Sequence, residues 1–160
     1  MTDDQRNDNR PTPYDDSYPS CERTQAELRV YTGDMDPEWV SQRLGVQPSS
    51  QQRSGERKVN SLGRERIVKR SAWFLSSEGK SSSRDLRRHL DWLLEMIEPS
   101  ASQLGELQTI PGITMYVTCI WWSAKGQGGP TLWPEHMRRL AELNLECQFD
   151  IAFFGEDDDD

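Results

Sequence analysis

Apolar positions along this chain follow two rhythms, and the switches between them mark its elements. Over residues 26–32 the side chains alternate, with Leu28 and Val30 on one side and Arg29 and Tyr31 on the other. That period of two predicts a strand with one buried face. It recurs over residues 67–76, where Trp73 and Leu75 oppose Ala72 and Phe74, and over residues 113–123, where Ile113, Met115, Val117, Cys119 and Trp121 oppose Thr114, Tyr116, Thr118, Ile120 and Trp122. A fourth strand is predicted over residues 145–154, with Cys147, Phe149, Ile151 and Phe153 facing inward. Between the second and third strands the period changes to that of a helix. Leu86, Leu90, Leu93, Leu94 and Ile97 form one stripe, with Ser82 or Ser83 as the cap and Asp85 completing a capping box. Arg87 and Asp91 make an i, i+4 pair expected on the exposed side of that helix.

Two shorter helices and a turn complete the pattern. Asp36, Pro37 and Glu38 open a helix with Val40 and Leu44 inward, closed by Gly45. Another runs over residues 134–143 with Met137, Leu140 and Ala141 inward, and a helical turn is expected around residues 102–107. Residues 47–64 are polar and predict a long loop or weak hairpin. Each half of the chain reads strand, loop, Pro-Glu, short helix, strand (Pro37-Glu38 and Pro134-Glu135). The expected fold is therefore α+β: a duplicated βαβ, ferredoxin-like four-stranded mixed sheet, its halves joined by the long central amphipathic helix.

Composition sets the limits of this domain. Residues 1–22 carry Asp3, Asp4, Asp8, Asp15 and Asp16, three prolines and no aliphatic side chain beyond Met1, so they are expected to be a disordered acidic tail. Residues 155–160 form a second acidic tail, which leaves residues 23–154 as a single domain. The net charge of −8 belongs to the tails: they hold 11 of 27 acidic and 2 of 19 basic residues, leaving 16 acidic against 17 basic in the domain. Within it, residues 53–70 carry seven basic side chains against Glu56 and Glu65. No apolar run approaches the length of a membrane helix and no signal peptide is visible. Three scattered cysteines, with Cys119 and Cys147 inward and Cys21 in the tail, point to a reducing compartment, so the expected location is the cytoplasm.

Catalytic and metal chemistry lack their usual spacing. His89 and His136 are the only histidines and neither has a cysteine or carboxylate at ligand spacing, so no metal or cofactor is expected. An enzyme would have to draw on Asp150, Cys147 or His136, and the expectation is that the chain is not one. The loop with Gly126, Gly128, Gly129 and Pro130 lies between a strand and a helix, where anions are cradled, but it lacks the P-loop ending, and turn chemistry explains it as well. A more informative set is Tyr31, Phe74, Tyr116, Trp122 and Phe154, all opposite the aliphatic face, with Arg29 and Arg70 beside them. On an open sheet these side chains would stack the bases of a single-stranded nucleic acid. The favoured reading is that the central helix covers them, because its leucine stripe needs an apolar surface.

Over residues 26–154 the motifs occur in a familiar order: Asp36-Pro37-Glu38, Leu44-Gly45-Val46-Gln47-Pro48, Gly55, Trp73-Phe74-Leu75-Ser76-Ser77, His89-Leu90, Glu98-Pro99, Trp121-Trp122-Ser123, Gly128-Gly129-Pro130, Pro134-Glu135 and Phe149-Asp150-Ile151. In this order the chain resembles the bacterial domain-of-unknown-function 4279 family. Trp133 departs from it, standing where a capping serine is more typical, which is expected to loosen the helix start. The resemblance implies a compact cytoplasmic α+β domain and brings no activity, cofactor or catalytic residue. By analogy with small families of this kind, the expected function is a non-enzymatic, immunity-like module that binds a protein partner. Its candidate residues are Tyr31, Arg70, Phe74, Tyr116, Trp122, Gly128, Gly129 and Trp133. Binding of single-stranded nucleic acid or an anionic ligand is the alternative.

Overall fold

The computed structural model describes residues 10–153; residues 1–9, Phe154 and the acidic tail over 155–160 lie outside the described residues. The elements run β1 (Cys21–Gly33), α1 (Glu38–Leu44), β2 (Ser50–Gln52), β3 (Arg57–Val59), β4 (Glu65–Ile67), β5 (Ser71–Ser76), α2 (Leu86–Ile97), a 3₁₀ turn (Glu98–Ser100), α3 (Ala101–Gln108), β6 (Thr114–Ser123), α4 (Pro134–Glu142) and β7 (Glu146–Phe153). The fold is α+β, with a mixed five-stranded sheet in the order β2-β5-β1-β6-β7 and a separate β3-β4 hairpin. The expected four-stranded sheet is corrected to five strands because Ser50–Gln52 pairs with the outer edge of β5.

Strand directions dictate where the helices lie. β1 is antiparallel to both neighbours, β5 and β6, and β2 is antiparallel to β5, while β6 and β7 are parallel. Thus α1 connects parallel strands separated by β5, α2 with α3 connects parallel strands separated by β1, and α4 connects adjacent parallel strands. Such crossovers are right-handed. The β1 crossover travels the opposite way across the sheet from the other two, but β1 also points the opposite way. The two reversals cancel, and all four helices fall on one face.

One buried cluster forms there. It joins Val40 and Leu44 of α1, Leu90, Leu93, Leu94 and Ile97 of α2, Leu104 and Leu107 of α3, and Leu140 of α4 to Leu28, Val30, Trp73, Leu75, Val117 and Cys119 of the sheet. The leucine stripe of α2 thus lands on the aliphatic face, crossing β1, rather than on the aromatic face as expected. Trp73 donates its indole N–H to Ser41 Oγ at 2.9 Å, satisfying the polar atom that comes with its bulk.

Local chemistry explains the element ends. Asp36 accepts the Glu38 N–H at 2.9 Å, and Gly45 closes α1 with φ +67°, its N–H on the Ser41 carbonyl. The cap of α2 is Asp85 itself, which accepts the Arg87 N–H; Ser83 lies two residues earlier and accepts the Asp85 N–H. The strand expected over residues 67–76 is broken at Val68, which turns into the interior and bonds across to Glu56. Met137 faces outward and is 52% exposed, because α4 turns His136 and Leu140 inward instead. Phe149, Ile151 and Phe153 share a face of the edge strand β7 as expected, yet are 46%, 58% and 55% exposed, since α4 packs only near the start of that strand, through Leu140 and Leu143.

The N-terminal boundary also moves. Composition places residues 1–22 in a tail, but Cys21 opens β1 and is fully buried, and residues 10–20 lie against the domain. Polar and aromatic contacts hold them where aliphatic burial is lacking. Tyr18 meets Trp121 edge-on and donates to the Gly129 carbonyl, and Tyr14 stacks on Trp133.

His89 is held neutral inside this layer. The Ala26 N–H donates to Ser77 Oγ, whose hydroxyl bonds His89 Nδ1 at 2.7 Å, and Nε2 meets the Ser83 carbonyl at 2.7 Å. Burial holds the imidazole below its ordinary 6.5, against the smaller opposing pulls of the Ser83 carbonyl and Asp85. The unfolded chain therefore takes up a proton near pH 6.5 that the folded chain refuses. The relay's contribution is intact above that pH and is lost as pH falls below it. Urea unfolding is expected to show a drop in stability between about pH 7.5 and about pH 5.5 that is smaller in His89→Gln. Leu90→Ala, at the fully buried centre of α2, is expected to lower unfolding free energy by about 2–5 kcal/mol at neutral pH.

Candidate binding surface on the open sheet face

Opposite the helices, no helix among the described residues covers the sheet face. Arg29 stands in register between Phe74 of β5 and Tyr116 of β6, and Tyr31 occupies the next position on that face of β1. The rings pack together: Tyr31 lies 6.1 Å from Tyr116 and 6.3 Å edge-on from Phe74, centroid to centroid. The guanidinium of Arg70 covers Tyr31 at 3.9 Å, and Glu27 accepts from Arg29 Nε at 2.7 Å. Arg70 is exposed, and the other side chains are half-buried. Partial burial, together with the neighbouring Tyr116 hydroxyl, holds the Tyr31 phenol above its ordinary range, so it is a neutral hydrogen-bonding group at physiological pH.

Trp122 belongs to the same face but not to the same cluster. Six residues along β6 from Tyr116 put it roughly 20 Å away, where Arg23 covers its ring at 4.3 Å. Between the two lie Gln25 and Thr118, whose side-chain oxygens are buried and have no hydrogen-bond partner among the described residues. Glu146, Gln148 and Asp150 of β7 share the face with Tyr116, Thr118 and Ile120 and make its far side acidic. Phe154 lies outside the described residues.

The other candidates lie elsewhere. Gly128 has φ +87°, and a Cβ there would sit 2.5 Å from Ser20 Oγ; the Gly129 carbonyl accepts from Tyr18. The glycine loop is thus a seat for the N-terminal segment. Trp133 is almost buried beneath Tyr14, with its indole N–H on the Thr12 carbonyl at 3.0 Å. Its backbone N–H donates to His136 Nδ1 at 3.3 Å, so a histidine three residues on makes the reciprocal half of a capping box, and the His136 N–H goes to the Trp133 carbonyl at 3.0 Å in place of a serine hydroxyl.

His136 is consumed by structure. Its Nε2 bonds Asp91 at 2.8 Å, and Asp91 also accepts from the Tyr14 hydroxyl and meets Arg139 at 3.5 Å. Burial acts to raise the Asp91 carboxyl, but the His136 and Tyr14 hydrogen bonds with the Arg139 charge outweigh it and hold the group below its usual value. These groups line a cleft of about 430 Å³ beside Arg10 and Glu135. Asp150 is on the open face while Cys147 is on the opposite side of the same strand, so the three groups named for catalysis do not converge. Cys147 lies 3.5 Å, sulfur to sulfur, from Cys119, and burial pushes the Cys21 thiol up to about 11. Among the described residues no group of three or more His, Cys, Asp or Glu side chains is placed to hold a metal, and no helix is long and apolar enough to cross a membrane.

Residues 22–154 match the family described as Domain of unknown function (DUF4279). The chain belongs to that family. No curated protein and no solved structure matches the chain. In this DUF4279 domain the aromatic cluster was legible from strand alternation, whereas the groups that seat the N-terminal segment were not. Arg87 and Asp91 share helical spacing that signals a surface pair, and only the tertiary structure turns Arg87 inward. Because the cluster is half-exposed, Tyr31→Ala and Tyr116→Ala are each expected to cost only about 1–2 kcal/mol in urea unfolding, less than Leu90→Ala.

Proposed function

We propose that this DUF4279 domain is a non-enzymatic protein-interaction module whose partner surface is the open sheet face centred on Tyr31. The observation that carries this reading is a half-exposed aromatic cluster flanked by arginines on a face that no helix of the described residues covers. Tyrosine, tryptophan and arginine are the side chains that dominate protein interfaces, and here ring stacking holds them in place before a partner arrives. An immunity-like role, in which one small domain occludes another protein, fits such a surface. Three free thiols favour the reducing cytoplasm as its setting.

Single-stranded nucleic acid is the weaker occupant. Its phosphates need a basic track, and this face sets Glu27, Glu146 and Asp150 among its arginines. Affinity capture from the native host extract is expected to recover a stoichiometric protein with the wild-type chain and to lose it with the Tyr31→Ala/Tyr116→Ala double variant. Recovery of no such protein, or equal recovery by both chains, overturns the proposal. Titration of tryptophan fluorescence with oligonucleotides at low salt is expected to show no saturable change, and saturable quenching lost in the double variant would favour nucleic acid instead.

A further inference from the structure

We propose that the groove between α2 and α4 is a peptide-docking site, occupied in the resting chain by its own residues 10–16, and that its partner is an extended protein segment bearing a proline–tyrosine–acidic sequence. The groove reads main chain first. Arg87 sends Nη1 to the Thr12 carbonyl at 2.5 Å and Nη2 to the Pro13 carbonyl at 2.9 Å, and Trp133 Nε1 also reaches Thr12. Asp85 accepts the Asp15 N–H at 2.9 Å, and the Arg84 N–H donates to the Asp16 carbonyl at 3.0 Å. Bonds of this kind recognise an extended backbone whatever its side chains, which is how domains grip peptides. Pro11 and Pro13 favour the extended form, in which carbonyls stay free of internal partners.

Side-chain pockets then add sequence preference. Tyr14 lies 4.5 Å from the Trp133 ring, the Arg88 guanidinium stands 3.8 Å from its centroid, and its hydroxyl reaches Asp91. One residue after Asp15, Asp16 takes the Ser83 hydroxyl at 2.6 Å and Arg88 Nε at 3.3 Å. Proline, tyrosine and an acidic side chain are therefore each matched in order along the groove.

Two observations make the occupant exchangeable. Every groove residue named, from Ser83 to Trp133, lies inside the family match of residues 22–154, whereas the occupant lies wholly outside it. With the segment in place Arg87 is fully buried and bound to Asp85, and its remaining N–H groups are satisfied by main-chain carbonyls of the occupant, not by its side chains. Any extended segment offers the same carbonyls, so one substitutes for another. Tethering gives the internal segment an effective concentration of about millimolar, so a partner must compete against it.

The test uses full-length chains and a fluorescein-labelled peptide with the sequence of residues 10–17. Fluorescence anisotropy is expected to show the peptide binding Tyr14→Ala at least ~10-fold more tightly than wild type, because the internal competitor is weakened. Asp15→Pro, which removes the main-chain donor to Asp85 and leaves the groove walls unchanged, is expected to do the same, and it serves if Tyr14→Ala unfolds. A peptide with alanine in place of its tyrosine is expected to bind at least ~10-fold more weakly. Tyr31→Ala, on the opposite face, is expected to leave peptide binding at the wild-type level, so failure here and failure of the sheet-face reading are separately visible. No saturable binding by either strap variant, or equal binding of the two peptides, overturns the proposal.

Discussion

The direction of β1 is the constraint on which the rest of this structure depends. Thirteen residues long and set between β5 and β6, it runs against both neighbours. That single reversal, with right-handed crossovers, stacks α1, α2, α3 and α4 on one side and concentrates the apolar burial there. The fold is thus two layers, and the sheet's second face is left to polar and aromatic side chains that need no cover. The surface proposed for binding is a by-product of connectivity before it is a matter of side-chain identity.

Much of this was legible residue by residue. Alternation placed Leu28 and Val30 apart from Arg29 and Tyr31, and the α2 stripe was visible as spacing alone. The Asp36 and Gly45 signals at the two ends of α1 also acted locally, as caps do. What could not be read was which face α2 would choose, because a leucine stripe matches any apolar surface and strand order is not written in periodicity. Inward strand positions on β7 were read correctly as one face, yet exposure depends on whether a helix reaches them, and α4 stops short. Candidate residues divide in the same way. Tyr31, Arg70, Phe74 and Tyr116 were grouped by a rule of alternation and do meet, whereas Gly128, Gly129 and Trp133 were chosen for their type and turn out to hold the N-terminal segment.

That segment shows how an acidic, aliphatic-poor stretch can be ordered without a conventional core. Tyr14 and Tyr18 supply ring contacts, and Arg87, Asp85 and Trp133 satisfy the backbone. Composition rules weigh aliphatic content and so undervalue an arrangement in which one buried guanidinium does the gathering. The His136–Asp91 pair, which by type alone would suggest chemistry, belongs to the same gathering, since Asp91 also receives Tyr14.

Arg87 has one more consequence, for how far the packed unit extends. The boundary drawn by family likeness falls at residue 22, but a guanidinium with no solvent contact sends two of its N–H groups to carbonyls at residues 12 and 13. Cut at the family boundary, the chain would lose both acceptors together with the segment that now shields them from water. The span that carries the family likeness is therefore shorter than the span whose contacts satisfy Arg87.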